Sequence, residues 1–333
     1  MYGPIQFAGY LALVLTPVVL LGSALLSLPE PSLDTAVVRT TIGLQAVLVL
    51  AAAVAVVRER KRVVDGWHVD GPTAGSVALT LGFDEGDAVD ALAVAAGGVV
   101  TYAISVAAGL GPVLASALVG LAVGLVAPRV AVPAYCGSFV GMASPAVFSL
   151  EGVALAGTVA GLGFVATAES FDGVGGKLGT IALCGCLGAV ALTGLEYGSP
   201  SPPAWELVGV VVPVAVAGAV ATVFLSLRLE LGAVVGSGLV GVLAGVGFPL
   251  LLPGVGETLA AVAFCASFVG MSSAKRLSVG HVAVAGGVSG LVYLAVTPAV
   301  TGAGGKLGTI AFVSCIAVIG ALACYKGTIE RLR

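Results

Sequence analysis

The chain has 333 residues, of which 59% are hydrophobic and 9% are charged, and its mean hydropathy is +1.15. Soluble domains carry about a quarter charged residues, so this composition excludes a water-soluble globular protein and predicts an all-helical polytopic membrane protein surrounded by lipid. The net charge of −3 is too small to indicate a nucleic-acid partner.

The first two apolar segments, residues 5–27 and 36–57, predict a transmembrane hairpin with a turn at Pro29–Asp34. A basic run at residues 58–62 follows the second segment directly. Because loops rich in lysine and arginine stay in the cytoplasm, this run places the end of the leading hairpin, residues 1–62, on the cytoplasmic side.

An acidic stretch separates this hairpin from the rest of the chain. Residues 63–91 contain six carboxylates and predict a polar connector at the cytoplasmic surface of the membrane. The run DEGDAVD at 84–90 has the acidic spacing of a calcium loop but lacks the glutamate that ends such a loop. We interpret it as a solvated acidic cap on the next span.

Two phrases in the remaining chain occur twice. CGSFVGMAS at 136–144 returns as CASFVGMSS at 265–273, and GGKLGTIA at 175–182 returns unchanged at 304–311, so both are repeated after 129 residues. Many membrane transporters consist of two homologous halves with the substrate site between them. We therefore predict a first repeat at 92–195, a polar loop at 196–206, a second repeat at 207–325 and a basic cytoplasmic tail at 326–333.

Each repeat contains five apolar segments. They lie at 92–110, 111–128, 130–148, 150–168 and 177–195, and at 207–227, 231–252, 257–273, 279–299 and 306–324.

Charge indicates how these segments cross the membrane. Five crossings per repeat leave Arg129, Arg228 and Arg276 in the cytoplasm and the acidic loop 196–206 outside. An odd number of crossings inverts the second repeat relative to the first. The prediction is ten to twelve transmembrane helices in the cell membrane, with both termini in the cytoplasm. In the alternative, the SFVGM segments dip into the membrane and return, which places Arg228 outside.

The SFVGM phrases predict broken helices. Pro133 and Pro145 flank the first copy, and proline and glycine within a span free backbone groups that are tolerated only beside protein or a water-filled cavity. Hydroxyl groups there can bind a solute, whereas tight packing of small residues is the competing interpretation. The candidate solute-binding residues are Ser138, Gly141, Met142, Ser144, Ser267, Gly270, Met271 and Ser273.

Each GGKLGT phrase opens an apolar helix, and two of the chain's five lysines lie in these phrases. A helix start presents free N–H groups and the positive end of the dipole, and the lysine adds a charge, so the combination suits an anionic group. A lysine that reaches lipid headgroups beside a glycine turn is the competing interpretation. The candidate anion-binding residues are Gly176, Lys177, Gly179, Thr180, Gly305, Lys306, Gly308 and Thr309.

Few ionisable residues lie near these motifs. Glu151, Glu257 and His281 are candidates for ion or proton coupling, because acids and histidines within a membrane often serve that function. Each is equally compatible with a cap at a helix end. The cysteines are interpreted as small apolar packing residues, and no spacing predicts a metal site or a cofactor.

Together these features predict a membrane transporter for a small polar or anionic solute, with the site at the interface of the two repeats. A passive solute or ion channel of the same architecture is one alternative, and a non-transporting structural or assembly protein is another. No catalytic motif occurs in the sequence, so an enzyme is not expected.

Overall fold

A computed structural model describes residues 3–27, 35–69 and 83–332, and in these ranges the chain is helical with no β-strand. Six helices in this part of the chain are long and apolar enough to cross a membrane, and five shorter apolar helices accompany them. The all-helical class is confirmed, and the six long helices have the length and composition of membrane spans.

Twelve α-helices follow one another through the described ranges. They are α1 Gly3–Leu26, α2 Thr35–Val69, α3 Glu85–Ala107, α4 Gly111–Val126, α5 Ala131–Val140, α6 Leu150–Ala166, α7 Lys177–Thr193, α8 Val208–Val223, α9 Ala233–Leu251, α10 Gly256–Gly270, α11 Val279–Ala295 and α12 Lys306–Leu332.

The predicted leading hairpin corresponds to α1 and α2. The turn predicted at Pro29–Asp34 lies outside the described residues. Because α2 continues to Val69 and α3 begins at Glu85, both ends of the predicted connector are helical. The middle of the connector, residues 70–82, also lies outside the described ranges.

The acidic run caps α3. The Asp84 carboxylate accepts a hydrogen bond from the Asp87 N–H at 2.9 Å, and the Asp87 carboxylate accepts one from the Asp84 N–H at 3.3 Å. This capping box satisfies free N–H groups and suits the positive end of the helix dipole. The interpretation of the run as an acidic cap is confirmed. The helix begins at Glu85 rather than at residue 92 because these acids form its first turns.

Two helices end inside the SFVGM phrases. α5 has 10 residues and α10 has 15, which corresponds to about 15 and 23 Å, compared with about 30 Å of hydrocarbon in a bilayer. The chain then runs through non-helical segments at 141–149 and 271–278 before α6 and α11 begin. The helix breaks predicted for the SFVGM phrases are therefore present within both copies.

The helices pack closely because glycines face main chain. A Cβ added at Gly97 of α3 would overlap the Ala134 carbonyl of α5, and one added at Gly137 of α5 would overlap the Val94 carbonyl of α3. Such contacts bring backbones together without large side chains between them, which is how helices associate in lipid.

A buried ion pair ties the leading hairpin to the rest of the protein. Glu59 of α2 is 4% exposed and accepts two hydrogen bonds from Arg276, each at 3.2 Å, and one from the Phe171 N–H at 2.8 Å. The Phe171 φ angle is +52°, in a region that non-glycine residues rarely adopt, so its main chain needs a fixed partner. One carboxylate thus joins α2, the loop before α7 and the segment after α10.

Replacing Glu59 separates the contribution of charge from that of the backbone contact. Glu59→Gln keeps an acceptor for the Phe171 N–H but removes the charge opposite Arg276, so we expect a loss of about 3 kcal/mol. Glu59→Ala removes both and is expected to cost more. The measurement is thermal unfolding of the purified protein in detergent.

The matched control is Arg62→Gln. Arg62 lies 3.7 Å from the same carboxylate, but its side chain is 61% exposed, so its loss is expected to cost less than about 1 kcal/mol. Equal melting temperatures for Glu59→Gln and Arg62→Gln would contradict a structural role for the buried pair.

Candidate functional site

Four buried aromatic rings from α5 and α10 form the centre of the protein. They belong to Tyr135, Phe139, Phe264 and Phe268, all exposed by 2% or less. The closest ring centroids across the two helices are those of Phe139 and Phe268, 4.5 Å apart. The two SFVGM copies therefore meet each other directly through their phenylalanines.

The starts of α7 and α12 also meet each other. Added Cβ atoms at Gly179 and Gly308 would each overlap the main chain of the other. Gly176 lies against Phe312 of α12, and Gly305 lies against Leu183 of α7. Residue numbers rise along one helix as they fall along the other, so the two helices run antiparallel through this contact.

The helices α4 and α9 cross in the same way. Gly124 lies against Val235, and Gly245 lies against Leu114, which again makes the pair antiparallel. Positions in α4 and α9 that make equivalent contacts are 121 residues apart: Gly120 of α4 faces the Tyr135 ring, and Gly241 of α9 faces the Phe264 ring. Tyr135 and Phe264 are themselves separated by the 129-residue repeat.

The predicted binding serines Ser138 and Ser267 make hydrogen bonds within the protein. Each hydroxyl donates to the carbonyl oxygen three residues earlier, at 2.7 and 2.6 Å. Each then accepts from a second serine, Ser116 of α4 at 2.8 Å and Ser237 of α9 at 2.7 Å. A hydroxyl has one proton, so the single donors of Ser138 and Ser267 are already used within the protein. The serine pairs hold α5 to α4 and α10 to α9.

The segments after the SFVGM phrases bond to the loops before the opposite GGKLGT phrases. We name residues 167–176 the first loop and residues 296–305 the second loop. The Ser144 N–H donates to Gly302 O, and the Ser273 N–H donates to Gly173 O, both at 2.9 Å. These bonds bring all four motif copies together. The segment after the first SFVGM copy bonds the second loop, and the segment after the second copy bonds the first loop.

The ammonium groups of both motif lysines donate hydrogen bonds to backbone carbonyls. Lys177 Nζ donates to Thr167 O at 2.6 Å and to Ala168 O at 3.1 Å, just after the end of α6. Lys306 Nζ donates to Thr297 O at 2.7 Å and to Ala299 O at 2.8 Å, just after the end of α11, and Thr297 is the counterpart of Ala168. A cation at a helix C-terminus satisfies free carbonyls and suits the negative end of the dipole. Each ammonium keeps one further N–H donor.

The other predicted motif residues support the same geometry. The buried hydroxyls of Thr180 and Thr309 donate to carbonyls at the starts of their own helices, at 3.3 and 3.2 Å. Gly141 and Gly270 face the main chain of α3 and α8. Cys136 of the first copy contacts a carbonyl of α7 at 3.2 Å, in keeping with a packing role.

A cavity of about 380 Å³ reaches the central aromatic pair. Phe139, Phe268 and Met271 line its inner end, and Lys177 and Asp172 line it with the first loop. The starts of α5 and α9 contribute Val132, Ala233 and Val234. The first cavity is thus mainly apolar and contains one cation and one exposed carboxylate.

A second cavity of about 480 Å³ lies at the other end of α9. It is lined by the start of α4, the start of α10 and Tyr293 of α11, and its one carboxylate is Glu257. Val234 lines the first cavity and Pro249 the second, and these residues are about 22 Å apart along one helix. The two cavities therefore lie toward opposite ends of α9.

The three candidate coupling residues lie at helix starts. Glu151 is exposed in the first turn of α6, and Glu257 is exposed in the first turn of α10. His281 Nδ1 lies 2.8 Å from the Ser278 hydroxyl at the start of α11. Of the three, Glu257 lines a cavity. Coupling by these residues stays a prediction.

Sequence reasoning missed the structural importance of Glu59, Arg276 and Tyr135. Glu59 carried a usable signal, since it is the one acid within the basic run at 58–62. For Arg276 the sequence indicated only a position on the cytoplasmic side. The Tyr135 hydroxyl bonds Ser237 at 2.8 Å, but the repeat gave no indication of this because the equivalent residue is Phe264.

Comparison of the chain with protein-family models, with curated proteins and with solved structures gives no match. Function is therefore inferred from the geometry of the motifs and cavities.

The lysine contacts lead to a prediction about stability. Lys177→Met and Lys306→Met keep most of the apolar stem but leave two carbonyls without their donor, so each should cost about 1–3 kcal/mol. Thermal unfolding in detergent is the measurement, and Lys275→Met, at an exposed position in the segment after α10, is the control. Unchanged melting temperatures in both motif variants would show that the capping bonds contribute nothing.

Proposed function

We propose that α3–α7 and α8–α12 are two homologous halves, inverted in the membrane and related by a two-fold axis between Gly179 and Gly308. The repeated phrases, the exchanged bonds between loops and motif copies, and the antiparallel courses of α7 with α12 and of α4 with α9 support this arrangement. A two-fold axis that pairs antiparallel spanning helices lies in the membrane plane, as in inverted-repeat transporters.

The proposed function is transport of a small polar or anionic solute across the cell membrane. One observation carries it: two cavities lined by equivalent positions lie toward opposite ends of α9, and the first of them reaches the Phe139–Phe268 pair. The equivalent lining residues are Ala233 and Pro112, Val234 and Val113, Val132 and Ala261, and Phe164 and Tyr293.

The unequal depth of the cavities favours a transporter over a channel. The first cavity reaches Phe139 and Phe268, whereas the lining of the second includes neither ring. In a protein with two equivalent halves, exchanging their conformations opens the second cavity and closes the first, which is alternating access around a fixed site. This conformation would then be the one open to the first cavity.

The solute class follows from the inner wall of the first cavity. Lys177 has one N–H donor that its two carbonyl partners do not use, and the first turn of α7 presents N–H groups without helical partners. These donors beside two aromatic rings suit an anion or a small polar molecule with acceptor atoms. At 4.5 Å between centroids the two rings are in contact, so a solute passes this point only when they separate.

A passive channel is the second candidate, and the central ring pair is the observation that favours it, since two packed phenylalanines form a fixed constriction. The structural or assembly alternative is favoured by the lysines, because their carbonyl contacts explain the GGKLGT phrase without a solute.

Flux through proteoliposomes tests the proposal. Sodium formate, sodium nitrate and urea serve as probes, and we expect at least one to cross faster than in protein-free vesicles. Phe139→Ala opens the constriction and should raise flux and weaken discrimination among the probes. Phe224→Ala is the control, because Phe224 is 55% exposed and lies away from the site on the π-helical segment after α8.

The same vesicles distinguish the alternatives. Accumulation against a concentration gradient, driven by an imposed proton or sodium gradient, requires a transporter, whereas equilibration alone indicates a channel. Permeability to all three probes equal to that of protein-free vesicles, with Phe139→Ala indistinguishable from the unmodified protein, would favour the structural alternative.

Cysteine labelling tests the inverted arrangement. Ser199 precedes α8, and Arg228 follows it at the end of the π-helical segment. In a Cys324→Ser background, which removes an exposed thiol, a membrane-impermeant maleimide applied to intact cells should label Ser199→Cys and not Arg228→Cys. Labelling of both from outside would contradict five crossings in each half and the cytoplasmic location of the termini.

A further inference from the structure

The ends of α2 and α12 enclose a cleft that the proposed transport site does not use. Gly320 of α12 touches the main chain of α2 so closely that an added Cβ would overlap the Ala51 carbonyl. Seven residues later the helices have separated, and Gly327 faces open space. The cleft between them measures about 300 Å³ and is lined by Val54, Arg58, Ala323, Cys324, Gly327 and Thr328.

Arg58 is the charged group in this cleft. Within the described part of the chain, its guanidinium donates to Ala323 O at 3.4 Å, which is long for a hydrogen bond. A guanidinium has five N–H donors in a planar fork that matches phosphate oxygens. Most of the hydrogen-bonding capacity of Arg58 is therefore directed to the cleft and its surroundings.

The cleft lies at the depth where lipid headgroups are expected. The apolar run of α2 ends at Val57 and that of α12 ends at Tyr325, directly before Arg58 and Lys326. The contacts of Ala51 with Gly320 and of Arg58 with Ala323 advance together along both helices, so α2 and α12 run parallel. Their basic ends thus reach the same membrane surface, where Arg60 and Lys61 add positive charge.

We propose that this cleft binds the phosphate group of an anionic membrane lipid. Arg58 would contact the phosphate oxygens, and Lys61 and Lys326 would add attraction at the rim. The acyl chains would lie along apolar side chains of α2 that are exposed above the cleft, such as Leu50 and Val47. These exposed apolar surfaces beside one guanidinium fit a lipid better than a free phosphate ion.

Such a lipid would join the leading hairpin to the last helix. The contact between α2 and α12 is close at Gly320 and open at Gly327, so a bound headgroup fills the gap where the helices separate. Because the lipid binds the folded protein and has no site on the unfolded chain, its binding should raise the melting temperature.

Thermal unfolding in detergent with added lipid tests this site. Dioleoylphosphatidylglycerol should raise the melting temperature of the unmodified protein, and dioleoylphosphatidylcholine should not. Arg58→Gln should weaken binding of the anionic lipid about tenfold, as expected for a lost charge-assisted bond. Arg58→Lys should retain part of the effect. The matched control is Arg39→Gln, an exposed arginine near the other end of α2.

Three outcomes would overturn the proposal. The same stabilisation in Arg58→Gln as in the unmodified protein would place the lipid elsewhere. An Arg58-dependent stabilisation by sodium phosphate at equal concentration would identify a free phosphate as the ligand. Equal stabilisation by the two lipids would show that the headgroup charge is not recognised. The test reads stability rather than flux, so its result is independent of the transport assay.

Discussion

The main-chain contact between Gly179 and Gly308 is the constraint on which the centre of the protein depends. A side chain at either position would overlap the opposing helix, so only two glycines let the starts of α7 and α12 cross there. The crossing sets each loop against the segment that follows the SFVGM phrase of the other copy. The aromatic pair of Phe139 and Phe268 then closes the space between α5 and α10.

Broken helices within a membrane expose backbone groups that lipid cannot satisfy. Here groups freed after α5, α6, α10 and α11 find partners inside the protein. The exchanged loop bonds at 2.9 Å satisfy two N–H groups, and Lys177 and Lys306 satisfy carbonyls after α6 and α11. The GGKLGT phrase therefore has a structural role that is independent of any solute. Of the three donors on each lysine, one is left for a ligand.

The leading hairpin holds the first and second loops through different contacts. In the first loop, the Phe171 N–H donates to the Glu59 carboxylate at 2.8 Å, and Arg276 neutralises that carboxylate. The equivalent residue of the second loop is Val300, which also has a positive φ, of +40°. Its N–H donates to the Ser23 hydroxyl of α1 at 3.4 Å. Val147 stands at the position equivalent to Arg276. The charged pair of Glu59 and Arg276 thus holds the first loop, which lines the first cavity. A long hydrogen bond to a neutral hydroxyl holds the second loop.

The sequence by itself determined the class of the protein, the positions of most helices, the helix breaks in the SFVGM phrases and the acidic cap of α3. These features depend on composition, on local periodicity and on residues within one or two turns of each other, all of which are readable along the chain. The repeated phrases also indicated which positions would be equivalent. Only the tertiary structure decided that Ser138 bonds Ser116, that Lys177 lies on carbonyls after α6, and that Glu59 pairs with Arg276. A hydroxyl, an ammonium or a carboxylate has many chemically suitable partners in the chain, and which one it meets depends on how helices distant in sequence cross.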